Sequence, residues 1–99
     1  MKADIQVKGE HMTIALEGRL DTLTAPELQK DLEGYKLSEL SEIVLDLSKL
    51  EYISSAGLRV LLAAFRSMKM GGVMRVTNAN DITKKVFEVT GFDGIFTIE

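Results

Sequence analysis

The sequence predicts an α/β fold: one domain over residues 1–99, with a mixed, mostly parallel sheet of four to five strands and about three helices. Three observations carry this expectation. Segments with an apolar residue at every second position alternate along the chain with segments whose apolar residues recur every three or four. The helical segments lie between strand segments, which favours parallel connections. The chain has 99 residues, 45% of them hydrophobic and 27% charged, enough for one core and too short for two.

Taken in order, Ile5 and Val7 alternate with polar neighbours, and Met12, Ile14 and Leu16 do the same beyond Gly9-Glu10. This predicts an antiparallel hairpin, each strand burying one face. Gly18-Arg19-Leu20-Asp21 breaks the alternation. Thr24-Ala25-Pro26-Glu27 matches a capping box with proline in the first turn, and opens a helix expected to run to about Leu32 and end near Gly34. Ile43 to Leu47 is a nearly continuous apolar run, as in a strand covered on both faces. From Ser55 to Met70 the period is helical: Leu58, Leu61, Leu62 and Phe65 share a face, and Arg59 and Arg66 lie on another. Gly71-Gly72 is expected to stop this helix with a left-handed cap. Val73 to Val76 reads as a strand. Asn80 or Asp81 then caps a last helix, expected to turn Ile82, Val86 and Val89 inward and to end before Gly91. Ile95 to Ile98 is the final strand. Sites in such sheets gather where strands end and helices begin. Three loops should meet there: Gly18 to Thr24, Asp46 to Ser55, and Thr77 to Asp81.

Composition narrows the function. A formal charge of −3, with Lys and Arg scattered, argues against a nucleic-acid partner. The absence of cysteine excludes thiolate metal sites and cysteine nucleophiles. His11, the one histidine, has no cluster of ligands at metal spacing, and no phosphate-loop motif occurs, so neither metal nor cofactor is expected. The N-terminal MKADIQVKGE lacks a signal peptide's apolar stretch, and no run approaches the about 20 residues of a membrane span. A cytoplasmic protein without membrane insertion is expected, with monomer as the default. Asp21 and Asp46 have no nucleophile, base or oxyanion device beside them, so they read as a turn cap and a partner contact instead of a catalytic pair. Met68, Met70 and Met74 read as adaptable core filling.

The most informative stretch is Asp46 to Leu58, which places Ser54 and Ser55 where a loop enters a helix. The first N–H groups of a helix lack internal partners and carry partial positive charge. A phosphate on Ser55 would bring about −1.5 to −2 charges to that end. A charge there stabilises a helix by about 0.3–1 kcal/mol, so the domain would stay folded and a docked partner would feel the change. Arg59, one helical turn on, is within reach of such a phosphate. Serine is also among the commonest helix caps, and spacing alone leaves open whether Ser54 or Ser55 does only that.

Asp46-Leu47-Ser48, followed by Tyr52-Ile53-Ser54-Ser55-Ala56-Gly57-Leu58-Arg59-Val60-Leu61-Leu62, resembles the signature of the STAS domain, the module of bacterial anti-sigma factor antagonists. Gly18-Arg19-Leu20-Asp21 is similar to that family's second motif, and the match spans essentially the whole chain. The resemblance implies a STAS-like fold and a non-enzymatic, partner-switching regulator of sigma-factor-dependent transcription. In that family the unphosphorylated antagonist binds an anti-sigma factor that is also a serine/threonine kinase, phosphorylation of one serine releases it, and a serine phosphatase restores it. That serine falls on Ser55, with Ser54 as second choice. The implied partner-facing set is Gly18, Arg19, Leu20, Asp21, Asp46, Ser48, Ser54, Ala56, Gly57 and Arg59. Two departures change the local charge: Ser54 stands where the family usually has aspartate, and Ala56 where it has a second serine. Other STAS proteins imply an alternative, an accessory subunit of an ABC lipid transporter or of a stress-signalling assembly, without a phosphoswitch.

Overall fold

Alternation in the first twenty residues forms the predicted hairpin. Strands β1 (Lys2–Lys8) and β2 (His11–Leu20) pair antiparallel, with Ile5 opposite Ile14 and Val7 opposite Met12. The computed structural model describes residues 1–99. After the hairpin come α1 (Ala25–Glu33), β3 (Glu42–Ile53), α2 (Ser55–Ser67), β4 (Val73–Thr77), α3 (Asp81–Thr90) and β5 (Thr97–Ile98), with single 3-10 turns at Leu37–Glu39 and Phe92–Gly94. The five strands lie in the order β1-β2-β3-β4-β5, antiparallel at the first pair and parallel at the others. The mixed, mostly parallel sheet is therefore as the sequence predicts. No helix is long and apolar enough to cross a membrane.

The sheet is packed on one face only. Met12, Ile14 and Leu16 of β2, Ile43, Leu45 and Leu47 of β3, and Met74 and Val76 of β4 are buried against the helices. Their alternate neighbours face outward, where Glu42 accepts from Arg75 Nε at 2.8 Å and lies 3.1 Å from His11 Nδ1. This corrects the reading of residues 43–47 as a strand covered on both sides: Val44 and Asp46 interrupt the run, and period two prevails. Leu58, Leu61 and Ala64 of α2 and Leu28 and Leu32 of α1 close the core from the helical side. Phe96, next to β5, stands edge-on to Phe65, Phe87 and Phe92 with centroids 5.8, 6.1 and 5.5 Å away. Each such pair adds about 0.5–1.5 kcal/mol beyond burial, which explains how a two-residue strand is held at the sheet edge.

Local expectations fail in four further places. β2 does not stop at Gly18 but pairs through Leu20, and β3 continues to Ile53, so Asp46 to Ser55 is mostly strand. Register shifts opposite Leu47-Ser48 and Glu51 let the longer β3 stay paired with β2. Helix α2 ends at Ser67, where Met68 turns extended, and Gly71 serves the next turn at φ +82°. Met70 is wholly exposed, unlike Met68 and Met74. Helix α3 is capped by Asn80 and ends at Gly91 as expected, yet it buries Thr83 and Phe87 while Ile82 and Val89 face solvent. Val86 packs against the core as expected, half-buried, but the fully buried positions are Thr83 and Phe87, the latter edge-on to Phe96.

Candidate functional site

Pairing of β2 with β3 brings the two motif segments together. Arg19 lies opposite Tyr52, Leu20 opposite Ile53, and the Ser54 N–H donates to Leu20 O at 2.9 Å. The chain leaves β2 through Asp21 and leaves β3 through Ser54, so the loop before α1 and the mouth of α2 are neighbours. Asp21 shapes that loop. Its Oδ1 accepts from the N–H groups of Leu23 and Thr24 at 3.0 and 3.1 Å, and its own N–H donates to Thr24 Oγ1 at 2.8 Å. The capping box read from Thr24 and Glu27 does not form: the Thr24 hydroxyl is spent on Arg19 O at 2.8 Å. These donors, the Thr24 N–H first, hold the Asp21 carboxyl below the usual carboxylate range. A group so depressed contributes stability above its unfolded pKa and loses it as pH falls through the folded value. Asp21→Asn is therefore expected to shrink the loss of thermal stability between pH 7 and about 3, read from melts across that range.

The two serines divide their roles. Ser54 is the N-cap of α2, its backbone extended and its Oγ accepting from the Gly57 N–H at 3.3 Å. Ser55 is the first helical residue, exposed, and its hydroxyl has no hydrogen-bond partner within the chain. Ser54→Ala is expected to cost about 1 kcal/mol by losing the cap. Ser55→Ala should change stability by less than about 0.5 kcal/mol, as an exposed substitution away from such features does. Urea unfolding of both variants checks the contrast.

Gly57 and Leu20 support the mouth from beneath. A Cβ on Gly57 would sit 2.7 Å from Leu20 Cγ and 3.0 Å from Leu20 O, so only glycine lets α2 approach the end of β2 this closely. Both residues are buried. The close neighbour of Gly57 is thus this chain's own strand, and neither Leu20 nor Gly57 presents a surface for a partner, which corrects their place in the partner-facing set that the resemblance implied.

Around Ser55 the surface is built from pieces of both helices. Arg59 is exposed and enters no ion pair within the chain. It lines a shallow groove between α1 and α2 with Thr22, Pro26, Gln29, Ala56 and Val60. Leu23, in the loop after Asp21, is 84% exposed. The Arg19 guanidinium lies 4.5 Å from the centroid of the Tyr52 ring, and its Nε 3.8 Å from Asp21 Oδ2. Tyr52, Leu23 and Pro26 were not among the partner-facing residues expected from the sequence: Tyr52 entered only as part of the motif and Pro26 only as a helix-start residue. Only strand register puts Tyr52 under Arg19, and an exposed leucine has no signature in one dimension.

Asp46 and Ser48 do not join this group. Asp46 Oδ1 accepts from the Ser48 N–H at 3.1 Å and from Asn78 Nδ2 at 3.3 Å. Those bonds, the Ser48 N–H first, hold its carboxyl below the usual range. The stretch from Asp46 to Ile53 is matched by five steps of β2, Ala15 to Leu20, so at a strand rise of 3.3 Å per residue Asp46 stands about 17 Å from Ile53, next to Ser54. The expectation that Asp46 lies near Ser55 is corrected, because the stretch between them is strand instead of a loop that folds back.

Comparison with known proteins agrees with this architecture. The family model of the STAS domain matches residues 2–99. An anti-sigma-B factor antagonist of Listeria monocytogenes is 30% identical over 103 residues, covering 100% of this chain and 90% of that protein. The anti-sigma-B factor antagonist of Bacillus subtilis is 25% identical, covering 99% and 90%. Among solved structures, an anti-sigma factor antagonist from Mycobacterium paratuberculosis superposes with a TM-score of 0.85 at 23% identity, over 98% of this chain and 83% of that one. The Bacillus cell fate determinant SpoIIAA in its phosphorylated form gives 0.75 at 19% identity, over 99% and 91%. At these identities the structures speak to the fold alone.

Proposed function

Since the chain belongs to the STAS domain family, we propose that it is an anti-sigma factor antagonist, a single non-enzymatic domain switched by phosphorylation of Ser55. The observation that carries this reading is the division of labour at the mouth of α2. Ser54 is committed to the cap, and Ser55 offers an unengaged, exposed hydroxyl at the positive end of the helix. In the unphosphorylated state, Leu23, the α1–α2 groove and the backbone around Ser55 form a surface with little charge beyond Arg19, Asp21 and Arg59. An anti-sigma factor with serine/threonine kinase activity docks there and leaves its sigma factor free. The kinase then transfers the γ-phosphoryl group of ATP: the Ser55 Oγ–P bond forms, the bond to ADP breaks, and the hydroxyl proton leaves to solvent or base. The new charge lies within a helical turn of Arg59 and beside the first N–H groups of α2, so the domain tolerates it. The docked surface does not, because a charge meets groups arranged for a neutral hydroxyl. A serine phosphatase resets the switch in the cytoplasm. Asp46 and Ser48 are outside this surface; the Asp46 carboxylate accepts from the Ser48 N–H and from Asn78, which ties β3 to the turn after β4.

Incubation with the cognate anti-sigma kinase and ATP should add one phosphoryl group, mapped to Ser55 by mass spectrometry and absent from Ser55→Ala. Ser55→Asp is expected to weaken kinase binding by about 100-fold, near 2.7 kcal/mol, in calorimetric titration, with its melting temperature nearly unchanged. Phosphate arriving on Ser54, or full-strength binding by Ser55→Asp, contradicts the reading.

A further inference from the structure

Strand β1 lies at the edge of the sheet. One side pairs with β2, and no backbone hydrogen bond reaches the other. A row of free N–H and C=O groups accepts a further strand unless charges blunt it. Lys2, Asp4, Gln6 and Lys8 occupy the open face of β1, and none of the three charged ones takes part in an ion pair within the chain. On the helical side, Ala3 and Ile5 are half-buried, Val7 is 44% exposed, and Tyr35, beside Ala3 and Ile5, is 39% exposed. The edge thus carries incompletely covered apolar side chains on one face and unmatched charges on the other.

A second copy of the same strand completes both. Two β1 strands related by a two-fold axis perpendicular to the sheet must pair even residues with even and odd with odd. Centring the axis on Asp4 sets that carboxylate against itself. Centring on Ile5 sets Lys2 against Lys8 of the second copy, and centring on Val7 pairs only Gln6 to Lys8, because the strand ends at Lys8. Only centring on Gln6 gives a long overlap without like charges. There Asp4 meets Lys8, twice by symmetry, while Ile5 meets Val7 on the helical side.

We propose that this edge is a homodimer interface, in which two β1 strands pair antiparallel about Gln6 and the two five-stranded sheets become one. Lys8 blunts the edge against an arbitrary strand and admits this one, because it then faces Asp4. The interface is separate from Ser55 and does not depend on the phosphoswitch. It replaces the monomer expected from the sequence by default.

Sedimentation velocity of the full chain, up to about 1 mM, should show a reversible monomer–dimer equilibrium. Lys8→Asp and Asp4→Lys, each entering the interface twice, should weaken it about tenfold, and the double variant should restore it by exchanging the charges. Both are surface changes, and circular dichroism verifies the fold. Because the chain has no cysteine, Gln6→Cys reports register directly. Opposed Cα atoms at about 4.5–5.5 Å suit a disulfide, so mild oxidation should yield a cross-linked dimer. A chain that stays monomeric at the highest concentration overturns the proposal and leaves the edge to solvent or to another protein's strand. So does a dimer indifferent to the charge reversals, or one that Gln6→Cys fails to cross-link.

Discussion

Phe87→Ala is expected to lower the unfolding free energy by about 3–5 kcal/mol. Phe87 is fully buried, on the inner face of α3, and stands edge-on to Phe96 at 6.1 Å. Its loss removes the transfer energy of a large side chain and opens a cavity that the short β5 cannot collapse to fill, since Phe96 is also held by Phe65 and Phe92. A fall of about 15 °C or more in Tm, by calorimetry, corresponds to that cost in a domain of this size. The control is Ile82→Ala. The sequence pattern makes Ile82 a core residue of the same helix, yet at 67% exposure its truncation should cost less than about 1 kcal/mol. Equal losses for the two would mean that α3 packs with a different face.

The second large effect is at the mouth of α2. Leu20→Ala, at a fully buried site, should cost about 2–5 kcal/mol, and Gly57→Ala about 1–3 kcal/mol by overpacking. The double variant should be more stable than the sum predicts, by about 1 kcal/mol, because alanine at position 20 removes two of the three atoms that the new methyl meets. The third, Leu20 O at 3.0 Å, remains and keeps the relief partial. Simple additivity in urea denaturation would show that Leu20 is not what excludes a side chain at position 57. Leu20 O also accepts from Ser54 N, so Leu20→Ala should loosen the cap and move Ser55. Kinase binding should then fall even though Leu20 touches no partner.

Much of this was readable from residue order. The hairpin turn at Gly9, the cap at Asn80 and the helical period of α2 depend on near neighbours, and local chemistry decides them. Ser55 was readable for the same reason, since the start of a helix is a local event. The capping box at Thr24 failed because Asp21 competes for the same donors, and nothing in the spacing says which acceptor wins. The inward face of α3 was assigned correctly at Val86 and wrongly at Ile82 and Val89, which are spaced as well as Thr83 and Phe87 are. Only the position of Phe96, on a different element, selects between the two.

Period and capping, which act over one or two turns, determined from the sequence alone that the chain is α/β, that a hairpin opens it, and that Ser55 stands where a helix begins. Tertiary structure decided that Ser54 is the cap and Ser55 the free hydroxyl, that Asp46 is remote, and that one sheet face and the β1 edge have no partner within the chain. Those outcomes depend on which residues lie opposite one another in paired strands. Register is set by the packing of the whole core, so a change of one residue anywhere along β3 would reassign them all.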